Sequence, residues 1–201
     1  MNKLSKTNLR RLTVIVAFTV AFLISLPIGA EEPKAIGNPK APVTIVEFFS
    51  LSCPHCAEFH IKELPWIKKE YVDTGKVRFV FRDFPLNAAA AVGAMLTRCL
   101  KSEDYFKVLD MLFQKQKKWA FSKDTFGQLF KIAQTFKMTK SGFDICMADK
   151  KLLERIMNSA REAHKRYDIN STPSFVINGK LFDGHGLTRE TLSKLINAAS
   201  R

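Results

Sequence analysis

The sequence predicts an α/β fold: a small mixed sheet flanked by helices and interrupted by an inserted helical subdomain. Three observations predict it. A strand signal, a helix signal and a second strand signal follow one another between Pro42 and Pro85. Helical patterns then fill the middle of the chain. Strand signals resume only near the C-terminus, as a hairpin before a last helix. The 201 residues, 46% of them hydrophobic, suffice for one well-cored domain and are too few for two large ones.

Residues 1–30 read as a secretory signal. Lys3, Lys6, Arg10 and Arg11 form a basic head, an apolar run follows from Leu12 to Leu26, and "PIGA" precedes Glu31 and Glu32. The run is short of the roughly 20 residues that a bilayer span needs, so export to the periplasm is expected. Ile28 is large for its place before the cleavage site; an uncleaved leader would anchor the chain in the inner membrane. Residues 31–41, "EEPKAIGNPKA", are polar and punctuated by Pro and Gly, and read as a linker.

The first part of the fold spans 42–86. Val43 to Phe49 is a buried strand by its β-branched and aromatic content. "CPHCAEFHIKELPWIKKEYVD" continues as a helix, with Pro54 in the first turn, where a missing N–H costs nothing, and Pro65 positioned to kink it. Gly75 closes a turn, and Val77 to Phe81 is the second strand. Strand, helix and strand form a βαβ unit with a right-handed crossover.

The insertion spans 87–169. Asn87 caps the segment "NAAAAVGAMLTRCL". Ser102, Ser122 and Ser141 each start a further helical segment, two of them with apolar residues three and four apart. Leu153, Ile156, Ala160, Ala163 and Tyr167 form the stripe of a longer helix. In the last part, 170–201, Ser174 to Ile177 is a strand and "NGK" a hairpin turn. Leu181 and Phe182 return it, and a helix from Thr188 carries Leu192, Leu195, Ile196 and Ala199.

The formal charge is +13. The leader holds four basic residues and no acid, which leaves +9 on the remainder. Lys115, Lys117, Lys118, Lys123, Lys131, Lys137, Lys140, Lys150 and Lys151 are spread along predicted helices instead of forming a nucleic-acid module, so a solvated basic face is expected and nucleic acid is not.

Four cysteines in an exported chain point to disulfides, and four can pair in three ways. Cys53 and Cys56 are forced neighbours, which leaves Cys99 and Cys146 for each other; two buried thiols are the alternative. A Cys-x-x-Cys pair has three readings: staple, metal clamp or redox centre. Zinc is disfavoured because no second Cys-x-x-Cys or His pair accompanies it. At the carboxyl end of a strand, Cys53 would face the unpaired N–H groups and positive dipole of the next helix, with His55 adding a donor or a positive charge. All of these favour the thiolate, and with it a redox role. Glu47, in an otherwise apolar strand, is either buried or edge-facing. His60, His164 and His185 are given no role.

The order of a strand, CPHC opening a helix, and a distant Thr-Pro before a hairpin and terminal helix resembles the thioredoxin superfamily. The Pro54-His55 dipeptide and the helical insertion narrow the resemblance to the DsbA-like thiol:disulfide oxidoreductases, from about Pro42 to the end. The resemblance implies a dithiol oxidase without cofactor, whose Cys53–Cys56 disulfide passes to unfolded exported proteins with free cysteines. A quinone-linked membrane oxidase of the DsbB type would recharge it. Glu47, six residues before Cys53, matches the acid behind the redox cysteines. Pro173 matches a cis proline opposite them, and the backbone of Thr172 would meet the substrate. Threonine before that proline is familiar from isomerases, whereas enterobacterial oxidases typically carry valine. An isomerase or reductase on the same scaffold is therefore the first rival. A metal-binding or chaperone-like module whose cysteines never turn over is the second.

Overall fold

The computed structural model describes residues 34–184 and 188–199; the expected leader and His185 lie outside them. Five strands form one mixed sheet in the order β1-β3-β2-β4-β5. The central strand β2 (Val43–Phe49) runs parallel to β3 (Val77–Asp83), from Val43 opposite Val77 to Phe49 opposite Asp83. On its other side it pairs antiparallel with β4 (Ser174–Ile177), which turns back into β5 (Lys180–Asp183). Asn178 and Gly179, at φ of 44° and 87°, make the turn between them. Both central residues of a tight hairpin of this hand need that backbone region.

The edge corrects one expectation. Within the segment read as a linker, Lys34–Ile36 forms β1, antiparallel to β3 with Ala35 opposite Val80. Three residues are too few to display alternation, and the pairing is made by the edge that β3 offers. Strand β3 itself runs two residues beyond Phe81. Its last residue, Asp83, is buried and holds Arg98 at 2.5 Å.

After β2 the chain is helical from residue 54 to 72, alternating α1 (Pro54–Glu58), a π-helical turn (Phe59–Glu63), α2 (Leu64–Ile67) and a second π-helical turn (Lys68–Val72). The expected disturbance at Pro65 takes this form. Pro65 has no N–H to give, and the Leu64 N–H before it reaches five residues back to Phe59.

The insertion comprises α3 (Ala88–Cys99), α4 (Tyr105–Gln114), α5 (Gln116–Trp119), α6 (Thr125–Thr135), α7 (Lys140–Ala148) and α8 (Lys150–Tyr167); α9 (Arg189–Ala199) closes the fold. Asn87 caps α3 through the Ala90 N–H, as expected. The helices expected from Ser122 and Ser141 are instead capped by Asp124 and Thr139, whose side chains accept from Gly127 and Gly142. The segment from Ser102 opens with a short 3-10 turn, Ser102–Asp104, before α4.

Alternation along β2 sends Val43, Ile45, Glu47 and Phe49 to the main core, where Phe59 lies between Phe79, on which it stacks, and Phe175, to which it is tilted. Phe48 faces the other way, into a smaller cluster with Ala163, Ile169 and Val176 beneath α8. The insertion packs around Trp119 and Tyr105, both buried. A Cβ on Gly93 would stand 2.8 Å from the Trp119 ring, so the indole reaches α3 only because that residue is glycine. Cys99 and Cys146 are bonded, tying α3 to α7.

Candidate active site

The carboxyl end of β2 leads through Ser50–Ser52 to Cys53, which stands at the N-cap of α1 with extended backbone (φ −82°, ψ 120°). Pro54 takes the first helical position, as its fixed φ and missing N–H suit. The turn is held at three points. The Cys53 N–H donates to the Ser50 carbonyl at 3.0 Å, the Ser50 hydroxyl accepts from the Leu86 N–H at 3.3 Å, and the Gln116 amide donates to the carbonyls of Leu51 and Cys53, each at 2.9 Å.

Across from this turn lies Thr172, joined to Pro173 by a cis peptide bond. In the dithiol the Cys53 Sγ–H donates to the Thr172 carbonyl at 3.2 Å. The Thr172 hydroxyl is buried and has no partner in the dithiol, which leaves it to favour the Cys53 thiolate. The two sulfurs differ in access: Cys53 retains 7% exposure and Cys56 none.

The electrostatics separate them further. The Cys53 thiol is lowered to about 5, first by the Cys56 side chain beside it, then by the Thr172 side chain and the backbone N–H groups of Cys56 and His55, against an opposing effect of burial. His55 thus acts through its backbone, while its side chain is exposed. Burial raises the Cys56 thiol far above its ordinary range, and the neighbouring Cys53 and Glu47 add to this. Glu47 is 1% exposed, flanked in the sheet by Phe81 and Phe175, and its Oε1 has no partner. Burial, then the charge on Cys53, pushes its carboxyl up to about 8. The strand alternation that left Glu47 open between two faces puts it in the core, beneath the redox turn.

Cys53, Pro54, His55, Cys56, Glu47, Thr172 and Pro173 therefore form one site, and the Cys99–Cys146 bridge is a separate feature. Among the described residues no three His, Cys, Asp or Glu side chains gather as metal ligands. His60 is buried, with Nε2 at 2.5 Å from Asp110 of α4, and His164 Nδ1 meets the Ile169 carbonyl at 3.1 Å.

Gln116 carries no signal in the sequence. It lies in the run "FQKQKKW" and reaches the site from 63 residues away. Replacing Gln116 with leucine keeps its bulk and strips donors from two buried carbonyls. A loss of roughly 1–3 kcal/mol in urea unfolding is expected; an unchanged midpoint would remove Gln116 as a support of the turn.

The sequence model of the Thioredoxin family matches residues 30–198. The structure is similar to that of alpha-DsbA1 from Wolbachia pipientis, with a TM-score of 0.71 and 32% identity, covering 88% of this chain and 95% of that one. A Rickettsia typhi relative, named for protein-disulfide oxidoreductase activity, is 30% identical over 165 residues, which make up 82% of this chain and 60% of the relative. The chain thus spans about three fifths of that relative's length. Disulfide bond formation protein D of Bacillus subtilis is 26% identical over 166 residues, covering 79% of this chain and 75% of its own.

Proposed function

The chain belongs to the DsbA-like thiol:disulfide oxidoreductases of the thioredoxin superfamily, and from that membership we propose that it is an exported dithiol oxidase, donating the Cys53–Cys56 disulfide to folding proteins with free cysteines. The observation that carries this reading is the low pKa of the accessible Cys53, about 5, beside a Cys56 thiol that resists ionisation. A sulfur content to be a thiolate is a good leaving group, so the reduced pair is favoured and the disulfide moves outward.

The steps balance as two-electron exchange. A substrate thiolate attacks Cys53 Sγ, the Cys53–Cys56 bond breaks, and Cys56 leaves. Cys56 takes up a proton, for which Glu47, protonated up to about pH 8, is the buried donor. A second substrate thiolate then attacks the substrate sulfur of the mixed disulfide, and Cys53 departs as thiolate. Substrate leaves with a new disulfide, and the oxidase is left as dithiol. Gln116 and Ser50 hold the turn while the bonds change, and Thr172 faces the incoming chain. A quinone-linked membrane oxidase of the DsbB type would restore the disulfide, and the leader at residues 1–30 would deliver the chain to the periplasm.

Relative to thioredoxin, whose attacking thiol ionises near 7 and whose potential is about −270 mV, a thiol ionising near 5 is worth about 2.3 kcal/mol at pH 7, or about 50 mV. Equilibration with glutathione should therefore give a potential of about −220 mV or higher. A value near −270 mV would favour the reductase. The isomerase is the second reading, supported by threonine at 172; refolding of a scrambled-disulfide substrate separates it from the oxidase.

Glu47→Gln leaves a neutral side chain that cannot give up its proton. Exchange should slow by about one to two orders of magnitude, and an inflection near pH 8 in the rate should disappear. Superimposable pH profiles for the two proteins would remove Glu47 as the proton donor.

A further inference from the structure

Between α5 and α6 lies a cavity of about 140 Å³, lined by Lys115, Lys118, Trp119, Gln128, Lys131 and Ile132. Trp119 and Ile132 are buried and close its floor, while the three lysines are exposed around it. No carboxylate lines it. Among the described residues, none of the three ammonium groups has a hydrogen bond or ion pair. Their charges are not neutralised locally, as those of Lys62, Lys68, Lys107, Lys140 and Lys194 are by a neighbouring carboxylate. Three uncompensated positive charges around one hollow focus a field that an anion relieves.

The position of the hollow says what the anion belongs to. Helix α5 begins with Gln116, whose amide grips the Cys53 carbonyl at 2.9 Å. Lys115 precedes that residue, and Lys118 and Trp119 follow within one helical turn. A turn rises about 5.4 Å, and with the reach of a lysine the Lys115 and Lys118 ammonium groups stand on the order of 10–15 Å from the redox turn. An extended polypeptide covers that distance in about three to five residues. A concave site of this size takes a side-chain head, whereas a bilayer would need a protruding face.

We infer that this cavity is a specificity subsite for the polypeptide being oxidised, taking the carboxylate of an Asp or Glu about three to five residues from the reacting cysteine. The inference rests on the oxidase reading and names a substrate preference within it. Acidic unfolded segments are drawn in and held while a nearby cysteine meets Cys53. The preference is electrostatic, so it fades as salt screens it.

Two experiments test it. Peptides identical except for Glu, Gln or Lys four residues from their single cysteine are reacted with the oxidised protein, and rates of mixed-disulfide formation are compared. Glu should exceed Gln by roughly three- to fivefold at low ionic strength, with Lys below both and the spread closing in high salt. Lys118→Gln with Lys131→Gln should abolish the spread. Lys150→Gln with Lys151→Gln, which removes the same charge from α8, should keep it. Equal loss in both double variants, or no spread in the native protein, overturns the subsite.

The second experiment needs no turnover. The same peptides with serine for cysteine are titrated while the Trp119 indole N–H resonance is followed; the chain has two tryptophans. A shift with the Glu peptide and not with the Gln peptide is expected, and no shift overturns the proposal even if every peptide is oxidised. The oxidation rate of the Gln peptide reports separately on the oxidase reading. Sedimentation with anionic phospholipid vesicles, lost in Lys118→Gln with Lys131→Gln and unaccompanied by a peptide-dependent shift, would assign the cavity to a membrane and overturn it as well.

Discussion

Raising the pH from 4 to 7 should stabilise the reduced chain, relative to the oxidised chain, by about 2.7 kcal/mol. The Cys53 thiol ionises near 5 in the folded protein against an ordinary value of 9.0. A folded pKa below the unfolded one means that the folded state holds fewer protons. The stabilisation is therefore complete above pH 9, where it approaches about 5 kcal/mol, and is lost as pH falls through 5. At pH 7 two of the four pH units have been crossed, which gives the figure above. Glu47 acts with the opposite sign. Its folded pKa, near 8, lies above the ordinary 4.5, so the folded state loses stability as pH rises between those values. The burial that causes most of it is common to both redox states, while the part due to the Cys53 charge exists only in the reduced one, so the difference reports Cys53 together with its coupling to Glu47. Thermal unfolding of the two forms across this range should show Tm values separating by roughly 5–10 °C. Curves that run parallel would mean that Cys53 titrates as an ordinary thiol, and the outward direction of the chemistry would go with it.

Replacing both Cys99 and Cys146 with alanine should lower stability by about 4 kcal/mol while leaving the ionisation of Cys53 near 5. The bridge closes a loop of 47 residues, and loop-closure entropy for that length sets the figure. The double replacement is the informative one, since a single replacement also leaves an unpaired thiol. Urea unfolding without reductant measures the loss, and thiolate absorbance against pH measures the independence of the two sites. A small loss would mean that α3 and α7 hold together by packing alone, through Phe143, Met95 and Leu96 in the shared core.

Much of this molecule is legible in short stretches of sequence, because the forces involved are short-ranged. Val43–Phe49 and Val77–Phe81 are strands by side-chain type alone. "NGK" sets its own turn through Asn178 and Gly179, and Pro54 marks the helix start that carries the thiol. Other features depend on partners far along the chain. Strand β1 exists because β3 has an open edge, and nothing in "KAI" says so. Gln116 resembles any polar residue in a basic run until the fold brings it to the carbonyl of Cys53. Asp83 and Arg98 look like surface charges in sequence and are a buried pair in space. Ser122 and Ser141 lie two residues from the true helix caps, because Asp124 and Thr139 outcompete them for the first N–H groups. Glu47 is ambiguous in sequence for a different reason: alternation names two faces and does not say which one is covered.

The contact between the Cys53 sulfur and the Thr172 carbonyl joins residues 119 positions apart, which has a consequence for biosynthesis. At roughly 5–20 residues per second, the ribosome needs about 6–24 s to travel from one to the other. Cys53, Cys56 and Cys99 have all been made before Cys146, so the nascent chain passes through a stage with three cysteines and an unfinished sheet. Whatever reaches the thiols at that stage selects among pairings that the completed fold no longer permits.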